Sequence, residues 1–298
     1  MKHYKPSIQF LLVIAIAVVL TFSAILLWQS ITPLLASLFH QSVSTWMSNV
    51  NYLKGLQLVT STTMFLLPPF VLVWILKQPV AKTLMIHRIA SHQLWMLTLL
   101  SMLVIQPFIN LLGDWNAHLA LPAGLSWLED WMKQMEAMND ALVNRFLFVH
   151  HWTGLLFNVV LIAFIPALAE EFFFRATVQR IFSEKLNTHV AVWLTAIIFS
   201  AVHMEFYGFL PRMLLGAYLG YLFVWSGTIW LPVIAHFTNN AVGVLIGYQI
   251  ANHQGYDFLN QLGTHSYWSL SLIGMALFIP MAFLVYRETK PKSEHSVQ

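Results

Sequence analysis

V-V-L-I-A-F-I-P-A-L-A-E-E-F-F-F-R-A-T-V-Q-R-I-F, residues 159–182, decides how this chain is read. An unbroken apolar run leads into Glu170, Glu171 and Arg175, and apolar sequence resumes after them. A charged side chain at mid-bilayer costs about 2.5–3.5 kcal/mol on insertion scales, so such residues need partners and mark function. Glu171 and Arg175 are four residues apart with the acid nearer the N-terminus, the favourable order for an ion pair on one helix face. Glu170 lies about 100° further round that helix and needs a partner from elsewhere.

The rest of the chain supports the membrane reading. Of 298 residues, 58% are hydrophobic and only 9% charged, and the mean hydropathy is +0.67. An average soluble domain is roughly 25% charged. Crossing the hydrocarbon takes about 20 apolar residues as helix. Candidate spans are 8–28, 56–76, 93–113, about 150–180, 190–206, 211–226, 229–250 and 267–286. The expected fold class is therefore all-α, a polytopic membrane bundle of about eight helices. The absence of cysteine excludes disulfides, thiolate metal sites and cysteine nucleophiles. A net charge of +3, widely dispersed, gives no footprint for nucleic acid; the bilayer is the expected partner.

Basic residues orient the spans, because cytoplasmic segments carry the excess of Lys and Arg. With the N-terminus inside, the inner segments hold Lys2, Lys5, Lys77, Lys82, Arg88, Arg180, Lys185, Arg287, Lys290 and Lys292. The outer segments hold Lys54, Lys133, Arg145 and Arg212. Both termini are expected to be cytoplasmic. The longest outer connection, Asp114 to Arg145, repeats Trp127, Trp131, Met135, Met138 and Leu142 at helical spacing, which predicts an amphipathic helix on the outer surface. An anchoring role is favoured for it over a gate. Gly216/Gly220 and Gly243/Gly247 have the spacing of close helix approach within one chain. A polar tail from Glu288 is expected to be disordered.

Two further pairs lie on later spans: Phe199 with His203, and His236 with Asn240, each four apart. If the first two helices turn near Asn187, Glu170 is 17 residues before the turn and His203 is 16 after it. An antiparallel hairpin then places them at one height. His236 and Asn240, roughly 10–16 Å into their own span, reach the same level. There is no G-x-S-x-G, no H-E-x-x-H and no aspartate within a predicted span. A carboxylate and an imidazole sharing one water remain, and such a pair deprotonates it. Asn and His donors facing the developing oxyanion complete a hydrolytic set. Glu205 is an extra acid, expected to face water at the helix end.

The motifs Glu170-Glu171-Phe172-Phe173-Phe174-Arg175, Phe199 to His203, and His236 to Asn240 stand in order on successive predicted helices. In this they resemble the CPBP (CAAX-protease and bacteriocin-processing, or Abi) family of glutamic intramembrane proteases. The resemblance spans about residues 150–250 and includes W-S-G-T-I-W-L-P-V-I-A-H, 225 to 236; Ala176 replaces the more usual glycine. It implies that Glu170 and His203 activate water, that His236 and Asn240 form the oxyanion hole, and that Glu171, Arg175 and Phe199 support them. It also implies a protein or peptide substrate at the membrane. A prenylated CAAX tail, a bacteriocin leader and a sorting signal are all within its range. No cofactor is expected; zinc stays open, with Glu170, His203 and His236 as its ligands.

The expected organisation is 1–149 for N-terminal spans and the outer loop, 150–250 for a catalytic core, and 251–298 for a last span and tail. The expected location is the cytoplasmic membrane of a bacterium, with cleavage near the cytoplasmic half. The rival reading is a transporter or pseudoenzyme scaffold whose polar cluster binds an ion or partner. Pro166, which interrupts the central span, is its one support.

Overall fold

Pro6 opens the first helix, where its missing N–H costs nothing. That helix, α1 (Pro6–Leu38), runs for 33 residues, well past the expected end at 28. The computed structural model of the chain describes residues 4–119, 121–252 and 261–289. Among the described residues nine further long helices follow: α2 (Val50–Ile75), α3 (His92–Val104), α4 (Gln106–Ala117), α5 (Ser126–Leu147), α6 (Trp152–Ser183), α7 (Thr188–Ala201), α8 (Phe209–Ser226), α9 (Trp230–Asn252) and α10 (Ser269–Thr289). Short helical turns link some of them, and there is no strand among the described residues. Only 11% of the most apolar window of α1 is buried. Val13 and Ala17 face inward, against Leu72, Phe173 and Phe174, while Leu11, Val18, Phe22 and Leu27 are exposed. An apolar outer surface of that extent belongs in lipid. The protein is an integral membrane protein.

Among the described residues, five helices are long and apolar enough to cross a bilayer, or six if α3 and α4 count as one, so the expected figure of about eight is approximate. The α7 helix has 14 residues, about 21 Å at 1.5 Å per residue, too short for a hydrocarbon core about 30 Å thick. The middle of α9 carries His236, Thr238, Asn239 and Asn240, which dilute its apolar character. The single span expected over 93–113 is broken, and α3 and α4 meet at a 41° bend. Pro107 explains the break, since it lacks an N–H and its ring clashes with the carbonyl four residues back. The tail begins later than expected, because helix continues to Thr289; residues beyond it, and Lys2, lie outside the described residues.

Pro166 does not interrupt α6. The turns before it, Val159–Phe164, are π-helical, and a second π stretch covers Phe174–Gln179. A π turn takes up one extra residue and loosens the ladder where proline would clash. Between the two stretches, Ile165–Phe173 is regular α-helix and carries Glu170 and Glu171. The turn after α6 falls where expected: Asn187 caps α7 by accepting from the Val190 N–H at 3.0 Å.

The glycine pair on α8 does more than permit close packing. Arg175 Nη2 donates to the Gly216 carbonyl at 3.2 Å, and Gln179 Nε2 donates to the Gly220 carbonyl at 3.0 Å. Two α6 side chains one turn apart thus bond two α8 carbonyls one turn apart, which only side-chain-free positions expose. A Cβ at Gly220 would stand 2.7 Å from Gln179 Oε1 and 3.0 Å from Val192 Cγ1. Gly220→Ala is expected to lower stability by about 1–3 kcal/mol, seen as a lower Tm in detergent. An unchanged Tm would show that this contact relaxes freely. The other pair divides: Gly247 lies against Leu147 of α5, but a Cβ at Gly243 would meet nothing within 4 Å.

Lys54, expected in an outer loop, is buried within α2. Its Nζ donates to Asn158 Oδ1 at 2.7 Å and lies over the Phe146 and Phe157 rings at 5.8 and 5.6 Å. A buried ammonium with an amide acceptor and two aromatic faces is a helix fastener, not a topogenic charge.

Candidate active site

The centre is built on α6. Glu171 and Arg175 are both fully buried and pair at 2.7 Å, as their spacing predicts. The guanidinium also sits 4.5 Å over the Phe199 ring. Glu171 Oε1 takes a second bond that the spacing did not predict, from His236 Nδ1 at 2.7 Å. Since a carboxylate only accepts, this fixes the proton of His236 on Nδ1. Phe199 holds both imidazoles edge-on, with its centroid 4.9 Å from His203 and 5.7 Å from His236.

His203 is not on α7, which ends at Ala201 with Val202 as its C-cap. It stands in the turn beyond, and its Nδ1 donates to the Phe199 carbonyl at 2.7 Å. Both rings are therefore bonded through Nδ1 and turn Nε2 the other way. Each Nε2 faces one atom, Glu170 Oε2, at 3.7 Å from His203 and 3.8 Å from His236. Those separations are too long for hydrogen bonds, and Glu170 Oε2 is buried with no protein partner. Asn240 lines the same cavity, and its Oδ1 accepts from Asn239 Nδ2 at 3.3 Å.

A cavity of about 590 Å³ opens in front of Glu170, His203, His236 and Asn240. Its far wall is α5, through Asn139, Leu142, Val143, Phe146 and Leu147. The amphipathic helix expected from the sequence is present, with Trp127 and Met138 exposed, but it also walls the site. Glu136 fastens it by accepting from the Tyr207 N–H at 3.2 Å, and Trp131 packs on Phe206 at 5.5 Å. Burial pushes the Glu136 carboxyl above its ordinary pKa. Glu205 does not simply face water; it pairs with Arg212, and both line the cavity.

Among the described residues, no group of three or more His, Cys, Asp or Glu is placed to hold a metal ion. The set offered to zinc by resemblance, Glu170, His203 and His236, holds the two Nε2 atoms 3.7 and 3.8 Å from Glu170 Oε2.

Residues 152–242 match the family model described as type II CAAX prenyl endopeptidase Rce1-like. Over these residues the chain is similar to that family. The matched segment is less than a third of the chain, and it contains Glu170, Glu171, Arg175, Phe199, His203, His236 and Asn240. The family it matches is one of peptide hydrolases. A relative, the uncharacterized protein YpbD of Bacillus subtilis (strain 168), is 28% identical over 89 residues, which are 28% of this chain and 43% of that protein. The chain thus spans less than half the length of that relative. No solved structure matches the chain.

Sequence reasoning missed three parts of this site: the Glu171–His236 bond, Asn239, and the α5 wall. The Asn239-Asn240 doublet inside an apolar span was the legible signal for the second. The first depends on helix rotation, which spacing alone does not give.

Proposed function

We propose that the chain is an intramembrane endopeptidase whose general base is Glu170. The supporting observation is the orphaned Glu170 oxygen between two imidazole nitrogens, at separations that one bridging water spans. Glu170 takes a proton from that water as the oxygen adds to a peptide carbonyl carbon. His203 Nε2 accepts the water's other hydrogen and aims the attack. The carbonyl oxygen becomes an oxyanion facing the Asn240 amide. Glu170 then returns its proton to the departing nitrogen, and carboxylate and amine products leave. With its proton fixed on Nδ1, His236 donates to the oxyanion only as imidazolium, and Glu171 is then its counter-ion.

The cavity in front of Glu170, walled by α5, is the proposed seat of the substrate. A membrane-associated peptide or protein is the substrate class, with a prenylated CAAX-type tail the first to test. The test is cleavage of a farnesylated, internally quenched peptide by purified protein in detergent, followed by mass spectrometry of the products. A single cut, lost in Glu170→Ala and His203→Ala, is expected. An equal rate in all three proteins would remove the assignment. With Glu170 and His203 as the water-activating pair, dialysis against EDTA is expected to leave the rate within twofold, and a loss restored by zinc would overturn that.

A further inference from the structure

We infer that Gln106 and Asn239 are positioning residues: a relay of side-chain amides that turns the NH2 of Asn240 toward the cavity. The inference rests on the reading of Asn240 as the oxyanion donor. An Asn side chain has a donor end and an acceptor end of nearly the same shape, and the hydrogen-bond network decides which end faces where. An oxyanion needs the donor end.

The network around Asn240 has a fixed origin, the Met102 carbonyl, which can only accept. Gln106 Nε2 lies 3.0 Å from it and therefore carries the NH2 group. The same Nε2 lies 3.2 Å from Asn239 Oδ1, so Asn239 presents its acceptor end to Gln106. The donor end of Asn239 then faces Asn240, and Nδ2 stands 3.3 Å from Asn240 Oδ1. Asn240 has spent its acceptor, and its NH2 remains for the cavity it lines with Glu170 and His236. Reversing any one amide would set two acceptors or two donors face to face, so the orientation passes from a backbone carbonyl on α3 to the reaction centre on α9.

The fold accounts for the origin. Gln106 is the first residue of α4, immediately after the break that Pro107 imposes, where the α3 carbonyls lack their regular helical continuation. Its side chain supplies the Met102 carbonyl with a donor and has a second hydrogen for α9. A purely structural role would be the capping of that break and the fastening of α3 to α9, and the experiment separates the two roles.

Kinetics on the farnesylated quenched peptide would compare Asn239→Leu, Gln106→Leu, Asn240→Ala and the double variant Asn239→Leu/Asn240→Ala. Asn240→Ala removes the donor and is expected to cost about 10²-fold in kcat. Asn239→Leu is expected to cost about tenfold in kcat, with KM within twofold, because Asn240 is present but unaligned. The double variant is expected to be no slower than Asn240→Ala alone, since a positioning residue has nothing left to position. Multiplying effects in the double variant, or wild-type kcat in Asn239→Leu, overturns the relay. If Asn239→Leu fails to fold, Gln106→Leu carries the same expectation from the far end. If the wild type leaves the peptide intact, it is the endopeptidase reading that has failed. The relay is then judged in protein labelled with 15N-asparagine, where Asn240→Ala identifies the Asn240 side-chain amide signal. Gln106→Leu is expected to move both the Asn239 and Asn240 signals, and an unmoved Asn240 signal overturns the proposal.

Discussion

Glu170→Gln is expected to yield a folded protein that has lost cleavage by about 10²–10⁴-fold, the usual worth of a positioned general base. The side chain keeps its shape, so the surrounding contacts of α6 remain. What disappears is a buried carboxylate oxygen that no protein group satisfies. Removing such a group relieves a desolvation cost, so Tm is expected to hold or rise while the rate collapses. His203→Ala is expected to lose a comparable factor without a large loss of yield, because His203 sits in the turn beyond α7 rather than in its packed interior. The measurement is peptide cleavage at matched amounts of monodisperse protein, with thermal unfolding of the same samples. Wild-type rates in Glu170→Gln would end its assignment as the base.

The opposite pattern is expected one residue along. Glu171 and Arg175 are fully buried, and each is held by more than the other: Arg175 by Gly216 and the Phe199 face, Glu171 by His236. Removing one partner of a buried pair costs about 3–5 kcal/mol, because the other charge stays buried without compensation. Arg175→Met and Glu171→Gln are therefore expected to lose most of their folded yield from membranes. The double variant Glu171→Gln/Arg175→Met restores neutrality and is expected to recover part of that yield. It stays inactive, since the carboxylate that fixes the His236 proton is gone. Single variants with wild-type yield and Tm would show that the pair is not structural.

These two expectations divide the charges in the manner their spacing implies. The i, i+4 order of Glu171 and Arg175 and the equal heights of Glu170 and His203 were legible because both derive from helical rise along a known hairpin. The turn at Asn187 was legible for the same reason that it caps α7. What was not legible depended on helix irregularity and rotation. Pro166 reads as a break until a π turn absorbs it, and the span over 93–113 reads as continuous until Pro107 bends it. Lys54 counts as an outer charge until Asn158, 104 positions away, supplies its acceptor. His236 and Glu171 meet only because α9 rotates one imidazole face toward α6, and hydropathy carries no record of rotation. The α5 helix reads as a surface anchor because its exposed tryptophans dominate the pattern, while the cavity-facing side, Leu142 and Phe146 among it, is apolar as well.

The π stretches of α6 carry a consequence for variation in length. A π turn is equivalent to a helix that has accepted one supernumerary residue without rotating the turns beyond it. Residues 159–164 and 174–179 therefore form two elastic joints on either side of the carboxylates. A one-residue deletion within 159–164, or within 176–179 beyond Arg175, tightens the joint to ordinary α-helix and leaves Glu170 and Arg175 at their present angles. The same deletion inside 165–173 swings everything beyond it by about 100° and parts Glu170 from His203. In chains that share this hairpin, single-residue gaps belong at the joints, and the nine residues between them form a block whose length is not free to change.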